Sequence, residues 1–167
     1  MLKKILGKLS KNIKDEEVFA YTSGEIVKIE KVPDPIFSEK MMGEGIAIMP
    51  SDGKVVAPID GEIIMIAETK HAFALRTALG EEILIHIGLE TVELKGEGFT
   101  SFVKVGDKVT RGQSIIEADL EYIEKNANSK LIILVITNSL EGKYNFEWEN
   151  TQKAKVGETK LFSTCLK

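Results

Sequence analysis

From Val18 onward the sequence keeps one rhythm. Short runs of β-branched and other apolar residues are cut by glycine-centred turns at Ser23-Gly24, Asp52-Gly53, Asp60-Gly61, Leu79-Gly80, Gly106-Asp107, Arg111-Gly112 and Gly157-Glu158. β-Branched side chains favour strands, and many short strands joined by frequent turns fold as a sandwich or a barrel. The expected fold class is all-β, with only a few helical turns. Helix is expected only at Asp119 to Asn126, where Asp119 can cap the first turn. The rhythm also repeats itself. Ala20-Tyr-Thr-Ser-Gly-Glu-Ile-Val-Lys-Ile29 echoes Ala57-Pro-Ile-Asp-Gly-Glu-Ile-Ile-Met-Ile66 at an offset of 37 residues. Two related strand-turn-strand units are expected to pack face to face, each lending its apolar side to a shared core.

The start of the chain departs from this rhythm. Leu2, Ile5, Leu6, Leu9 and Ile13 recur at helical spacing, and Lys3, Lys4, Lys8, Lys11 and Lys14 make the segment basic. The organisation expected is a basic amphipathic tail, residues 1–17, and a single domain, residues 18–167. Residues 1–14 suit weak contact with an anionic membrane surface, or a helix capping the domain. Within the domain, Val32 to Gly45 reads as a long irregular connection, because Pro33 and Pro35 bar a helix and a central strand. Its Ile36, Phe37, Met41 and Met42 either tuck beneath the loop or form an exposed contact patch, and composition favours burial.

Charge and composition remove several function classes. A net charge of −4 argues against a nucleic-acid binder. No apolar run approaches the ~20 residues of a membrane span. Cys165 is the only cysteine, so no internal disulfide can form, which fits a reducing compartment. No small-residue cleavage site follows the basic N-terminus. The location expected is cytoplasmic, with at most peripheral contact at the inner face of the membrane.

The chemistry rests on His71 and His86, the only two histidines. The strand-like runs Lys70 to Arg76 and Glu82 to Ile87 are separated by Thr77-Ala-Leu-Gly-Glu81, which is hairpin spacing. A two-residue loop at Ala78-Leu79 sets His71 directly opposite His86, on one face and close enough for the rings to meet; a loop that includes Gly80 shifts the register by one. Alternation then places His86 with Leu84, opposes Ile83, Ile85 and Ile87 to them, and groups Thr69, His71 and Phe73. A zinc site wants three or four ligands, and neither His-x-His nor a second cysteine is present. There is no Gly-x-Ser-x-Gly for a serine nucleophile. Histidine remains as its own nucleophile: a neutral imidazole attacks a phosphoryl group in line, while the second ring donates to its equatorial oxygens. Thr69 can fix that second ring's tautomer. Gly88 is expected to let a partner or a phosphate approach the backbone.

The stretch His86-Ile-Gly-Leu-Glu-Thr-Val-Glu-Leu-Lys-Gly-Glu-Gly-Phe99 resembles the signature of the enzyme IIA family, glucose type, of the sugar phosphotransferase system. Val32 to Ile48, Val56-Ala-Pro-Ile-Asp-Gly61, Glu68-Thr-Lys-His-Ala-Phe73 and Val103-Lys-Val-Gly-Asp-Lys-Val109 resemble further words of that family, so the likeness spans roughly residues 18 to 165. The resemblance implies an antiparallel β-sandwich and a phosphotransferase component. His86 would be phosphorylated on Nε2 by the phosphohistidine of the small carrier HPr. It would pass the group to a cysteine on the IIB domain of a membrane sugar transporter. His71 would steady the phosphoryl group and Thr69 would hydrogen-bond His71. Ile36, Phe37, Met41, Met42 and Val92 would form the apolar docking face, with Asp34 and Glu90 as rim carboxylates for basic residues of HPr. No cofactor is implied, although a zinc ion can be bridged by His71 and His86 within a complex. Regulated proteins would be further partners of an otherwise monomeric chain. Three positions depart from the family's pattern: Glu90 replaces an aspartate, and Ala67 and Leu84 stand where phenylalanine is expected. A zinc peptidase, a biotinyl or lipoyl carrier, and a regulatory protein that has lost transfer are the rival readings. The first lacks His-x-His and the second lacks Met-Lys-Met.

Overall fold

A computed structural model describes residues 15–167, so the helix expected of residues 1–14 lies outside the described residues. The short apolar runs become strands. These are β1 (Asp15–Phe19), β2 (Gly24–Lys28), β3 (Glu44–Pro50), β4 (Lys54–Val56), β5 (Gly61–Ile66), β6 (Ala72–Arg76), β7 (Glu82–Leu89), β8 (Phe99–Ser101), β9 (Lys108–Val109), β10 (Ser114–Ala118), β11 (Ser129–Ile136), β12 (Tyr144–Trp148), β13 (Lys153–Ala154) and β14 (Lys160–Leu166). Among the described residues helix is confined to α1 (Pro35–Ser38), α2 (Leu120–Asn126) and three 3-10 turns. In α2 the Asp119 carboxylate accepts from the Tyr122 amide at 3.1 Å, as the sequence led us to expect. β1 begins at Asp15, three residues before the domain start read from the sequence.

All the strand pairs are antiparallel. The large sheet runs β13-β2-β3-β11-β7-β6-β5-β9, and two three-stranded sheets run β1-β14-β12 and β4-β10-β8. The architecture is an antiparallel β-sandwich. The large sheet does not close into a barrel: it ends in β13 and β9, whose two residues each leave little unpaired backbone. The echoed units begin β2 at Gly24 and β5 at Gly61, and they share the main core as expected: Ala20, Tyr21, Ala57 and Ile63 belong to it and Ile26 packs against it. Both belong to the large sheet, each second from an edge, because β2 ladders onto β3 and β5 onto β6 on either side of the central β11–β7 pair. The two units thus hold mirrored positions in the sheet and lend their apolar sides to one core.

β7 obeys the two-residue alternation expected of it. Ile83, Ile85 and Ile87 are fully buried in the main core with Ile48, Phe73, Leu75, Ile132 and Leu134. Leu84 turns the other way, into a small cluster with Ala72 and Ala74, and His86 shares its parity. Each isoleucine so buried contributes roughly 1.5–3 kcal/mol. A one-residue slip would expose all three, so the core holds the face of β7 on which His86 stands.

The β6–β7 hairpin has a longer loop than the two-residue expectation. Thr77 and Glu81 close it: the Thr77 amide donates to the Glu81 carbonyl at 2.9 Å, and the Glu81 amide to the Thr77 hydroxyl at 3.1 Å. The register therefore pairs Ala72, not His71, with His86. The shift by one, with Gly80 inside the loop, is the case that occurs.

Beside this loop two acids are buried together. Glu81 is fully buried and Glu16 nearly so. The Leu79 amide donates to Glu16 Oε1 at 2.7 Å, and the Thr164 hydroxyl to Glu81 Oε1 at 2.8 Å. The Oε2 atom of each carboxyl lacks an ordinary donor. Burial, and then the contact with Glu16, push the Glu81 carboxyl up to about 8. One proton held between the two carboxyls removes the like-charge repulsion and supplies the missing donor. This pin joins β1, the hairpin tip and β14.

Candidate active site

His86 projects from a central strand and His71 from a bend, and the two rings still meet. Their centroids are 5.0 Å apart at an interplanar angle of 77°. His71 lies just ahead of β6, after Lys70, whose φ of 58° puts the backbone in the left-handed region. Its carbonyl accepts from the Ile87 amide at 2.7 Å, so the backbone stays docked on β7 while the ring escapes strand alternation. This overturns the grouping of Thr69, His71 and Phe73 on one face. Phe73 is fully buried in the core, whereas His71 is half-buried at the site. The ring pairing expected from a direct opposition is achieved by a bend instead.

The hydrogen bonds assign roles to ring atoms. His86 Nδ1 lies 2.8 Å from the Gly88 carbonyl oxygen, so Nδ1–H donates and Nε2 keeps its lone pair. Gly88 has a φ of 75°, and a Cβ there would collide with the Thr91 methyl and stand 2.8 Å from the Ser129 carbonyl oxygen. The space around Gly88 is filled by its own chain. This inward crowding, with the positive φ, is enough by itself to require a glycine. On the other ring, the Thr69 hydroxyl lies 2.5 Å from His71 Nδ1. When the hydroxyl donates, the His71 proton sits on Nε2.

Both rings are neutral at neutral pH. Burial lowers the His86 imidazole to about 4, helped by the neighbouring His71 and opposed by the Gly88 carbonyl and the Asp34 carboxylate. Burial also lowers His71. A neutral imidazole with a free Nε2 is a nucleophile, and a neutral imidazole with Nε2–H is a donor to an oxyanion.

The segment around α1 covers the site and corrects two expectations. Pro35 does not bar a helix; it sits in the first turn, where its missing amide costs nothing, behind an Asp34 cap that accepts from the Ile36 amide at 3.0 Å. Phe37 is not part of an exposed face. It is buried with Ile29, Val32 and Val135, and its ring stacks obliquely on His86 at 5.4 Å. Met42 is half-buried between this cluster and the one around Leu84. Ile36, Met41 and Val92 are exposed, at 49%, 67% and 50%. Glu90 is exposed, with a φ of 61°, at the turn into the 3-10 segment Thr91–Leu94. Asp34 spends one oxygen on its cap, which leaves the other at the rim.

Sequence reasoning missed the crowding at Gly88 and missed Thr91, whose hydroxyl donates to the Ile87 carbonyl at 2.6 Å. The Asp34-Pro35 cap was legible as a helix-start signal. Among the described residues no three His, Cys, Asp or Glu side chains converge as a metal site. Two imidazoles supply half of zinc's usual ligand set, so a zinc ion here would need further ligands from a partner. No helix among the described residues is long and apolar enough to cross a membrane.

Comparison with known proteins follows the same line. A family model described as phosphoenolpyruvate-dependent sugar phosphotransferase system, EIIA 1, matches residues 16–141. The chain is 47% identical to a PTS system glucose-specific EIIA component of Halalkalibacterium halodurans, over 96% of each chain. It is 44% identical to the protein of the same name from Staphylococcus epidermidis, over 99% of each. Among solved structures, the glucose permease IIA from Mycoplasma capricolum superposes with a TM-score of 0.83 at 35% identity, covering 90% of this chain and 96% of that one.

Proposed function

The chain belongs to the EIIA 1 family of the phosphoenolpyruvate-dependent sugar phosphotransferase system, and on that premise we propose that its phosphocarrier function runs through a phosphohistidine formed on Nε2 of His86. The observation that carries this reading is the Nδ1–Gly88 hydrogen bond, which leaves Nε2 as the free nitrogen on a neutral ring.

In the accepting step the phosphoryl group leaves a phosphohistidine of HPr. The donor N–P bond breaks as a bond from phosphorus to His86 Nε2 forms, with no proton to remove first. The ring becomes cationic as the bond forms, and the Nδ1–H bond to the Gly88 carbonyl strengthens with it. His71 Nε2–H faces the transferring group and donates to an equatorial oxygen, held in that tautomer by Thr69. The second step reverses the logic. A cysteine thiolate of a IIB domain attacks phosphorus and the neutral His86 ring leaves. Relatives named glucose-specific make glucose the first sugar to test. We place the reaction in the cytoplasm, with the chain acting as a monomer.

The test is phosphotransfer from HPr charged with phosphoenolpyruvate, followed by phosphorus NMR of the product. A signal for a phosphoryl group on Nε2 is expected; a signal for Nδ1, or an acid-stable ester, would sink the reading. The His71→Gln protein should still take up phosphate. Its transfer to IIB should slow by about 10²-fold, the usual scale for losing one transition-state donor. If uptake and onward transfer are both unchanged, His71 has no part in the chemistry.

We assign the exposed Ile36, Met41 and Val92 to the docking face; a few separate apolar side chains suit brief docking better than a large aromatic face would. Val92→Asp places a charge on that face without touching the core. We expect the KM for phosphorylated HPr to rise about tenfold with kcat nearly unchanged, a loss of ~1.4 kcal/mol of docking energy. An unchanged KM would move the docking face elsewhere.

A further inference from the structure

We propose that Thr91 is a positioning residue for phosphoryl transfer: through the Gly88 carbonyl it determines which ring nitrogen of His86 carries the proton. The inference rests on the His86 reading above. In a neutral histidine the two tautomers lie close in energy, and the partner of one nitrogen decides which is populated. At His86 that partner is the Gly88 carbonyl at 2.8 Å. A regular strand would not present this carbonyl to the ring. It is available because the β7–β11 register slips after Ile87 and because Gly88 adopts a φ of 75°.

Thr91 holds that departure with both branches of its side chain. The hydroxyl donates to the Ile87 carbonyl at 2.6 Å, closing a turn that contains Gly88. The methyl occupies the space that a Gly88 side chain would need. Between these anchors lies Glu90, a non-glycine residue at a φ of 61°, a conformation that persists only where neighbours enforce it. Thr91 itself is fully buried. It can reach neither HPr nor a transferring phosphoryl group, so any effect it has on transfer is exerted through the ring.

The discriminating variant is Thr91→Val, which keeps the shape and removes the donor. Nitrogen-15 NMR of the imidazoles reads the tautomer directly. In the parent, His86 Nδ1 should have the shift of a protonated nitrogen and Nε2 that of a bare one. In Thr91→Val the two shifts should move toward each other. The kcat for phosphorylation by HPr should fall about tenfold with an unchanged KM. Thr91→Ser restores the hydroxyl and should restore the tautomer and most of the rate. A Thr91→Val protein with parental ring shifts overturns the proposal, whether or not its rate falls. If Thr91→Val does not fold, Thr91→Cys, a weaker donor of similar size, should show a smaller change in the same direction, and parental shifts there count equally against the idea. Failure of the underlying reading looks different: the ring shifts respond as expected while the phosphate is found on another residue.

Discussion

A His86→Ala protein is expected to take up no phosphate from charged HPr, a fall of at least ~10³-fold, as for removal of other covalent nucleophiles. The loss should not come from unfolding. The backbone of residue 86 is held by ladders to β6 and β11, and the side chain points away from the main core. Its ring packs on the half-buried His71 and on Phe37, which belongs to a cluster separate from the main core. The melting temperature should therefore stay within a few degrees of the parent while labelling disappears. His86→Gln gives a second check, because it fills the same space without a nucleophilic ring. Labelling of either variant at the parental rate would remove His86 from the mechanism and leave a regulatory binding role as the better reading.

The second large effect concerns stability and pH. Glu81 is raised to about 8 in the fold, against ~4.3 in an unfolded chain. The folded protein thus holds a proton that the unfolded chain releases. The stabilisation this represents is fully present below the unfolded value and is lost as pH rises through about 8. Its size is on the order of a few kcal/mol, since each tenfold gain in proton affinity on folding is worth ~1.4 kcal/mol. His86 works in the opposite direction in a different window. Its folded value of about 4 lies below the unfolded ~6.5, so it favours the fold above that range and loses this as pH falls toward 4. Between pH 7 and 9 the histidines are silent and the acid pair dominates. Near the pair stand the Thr164 hydroxyl, Tyr144, whose phenol is itself raised by burial and then by the Glu81 charge, and, around the pocket that Glu16 lines, Asp15, Glu17, Asp60 and Arg111. We expect the melting temperature to fall by several degrees from pH 7 to pH 9. In Glu81→Gln, whose amide donates to Glu16 without titrating, the fall should vanish, leaving the variant more stable than the parent at pH 9. An equal fall in both proteins would show that the proton is not shared there.

The sequence carried the all-β class because strand-sized apolar runs and glycine turns are local signals. It carried the histidine pair because two unusual residues sat on adjoining runs. The parity of β7 was legible for the same reason: Ile83, Ile85 and Ile87 leave one face for His86. What it did not carry was geometry set by several residues at once. The register depended on Thr77 and Glu81 closing a longer loop. The His71 ring reached its partner only because Lys70 turns the backbone left-handed, which no residue type there announces. Phe37 and Met41 are near neighbours in sequence with similar hydrophobicity, yet one packs against His86 and the other faces solvent. That division follows from a helix of four residues whose first member is proline. Gly88 was correctly singled out as special, but its reason lay in Thr91 and Ser129, and the latter is forty-one residues away.

The position of His86 between β6 and β11 has a further meaning for how the molecule wears. Strands in the middle of a large sheet are the last to open, and loops at its margin the first. In hydrogen exchange, the amides of β7 should be among the slowest, and those of residues 68–70 and 90–97 among the fastest. On the proposed reading the nucleophile is thus anchored to the longest-lived part of the molecule, while Glu90 and Val92, assigned to docking, stand on a shorter-lived loop. Substitutions in the welcoming loops can then change which visitors are accepted without loosening the nitrogen that does the work. A chain built this way can acquire new clients one loop at a time, and keep its chemistry throughout.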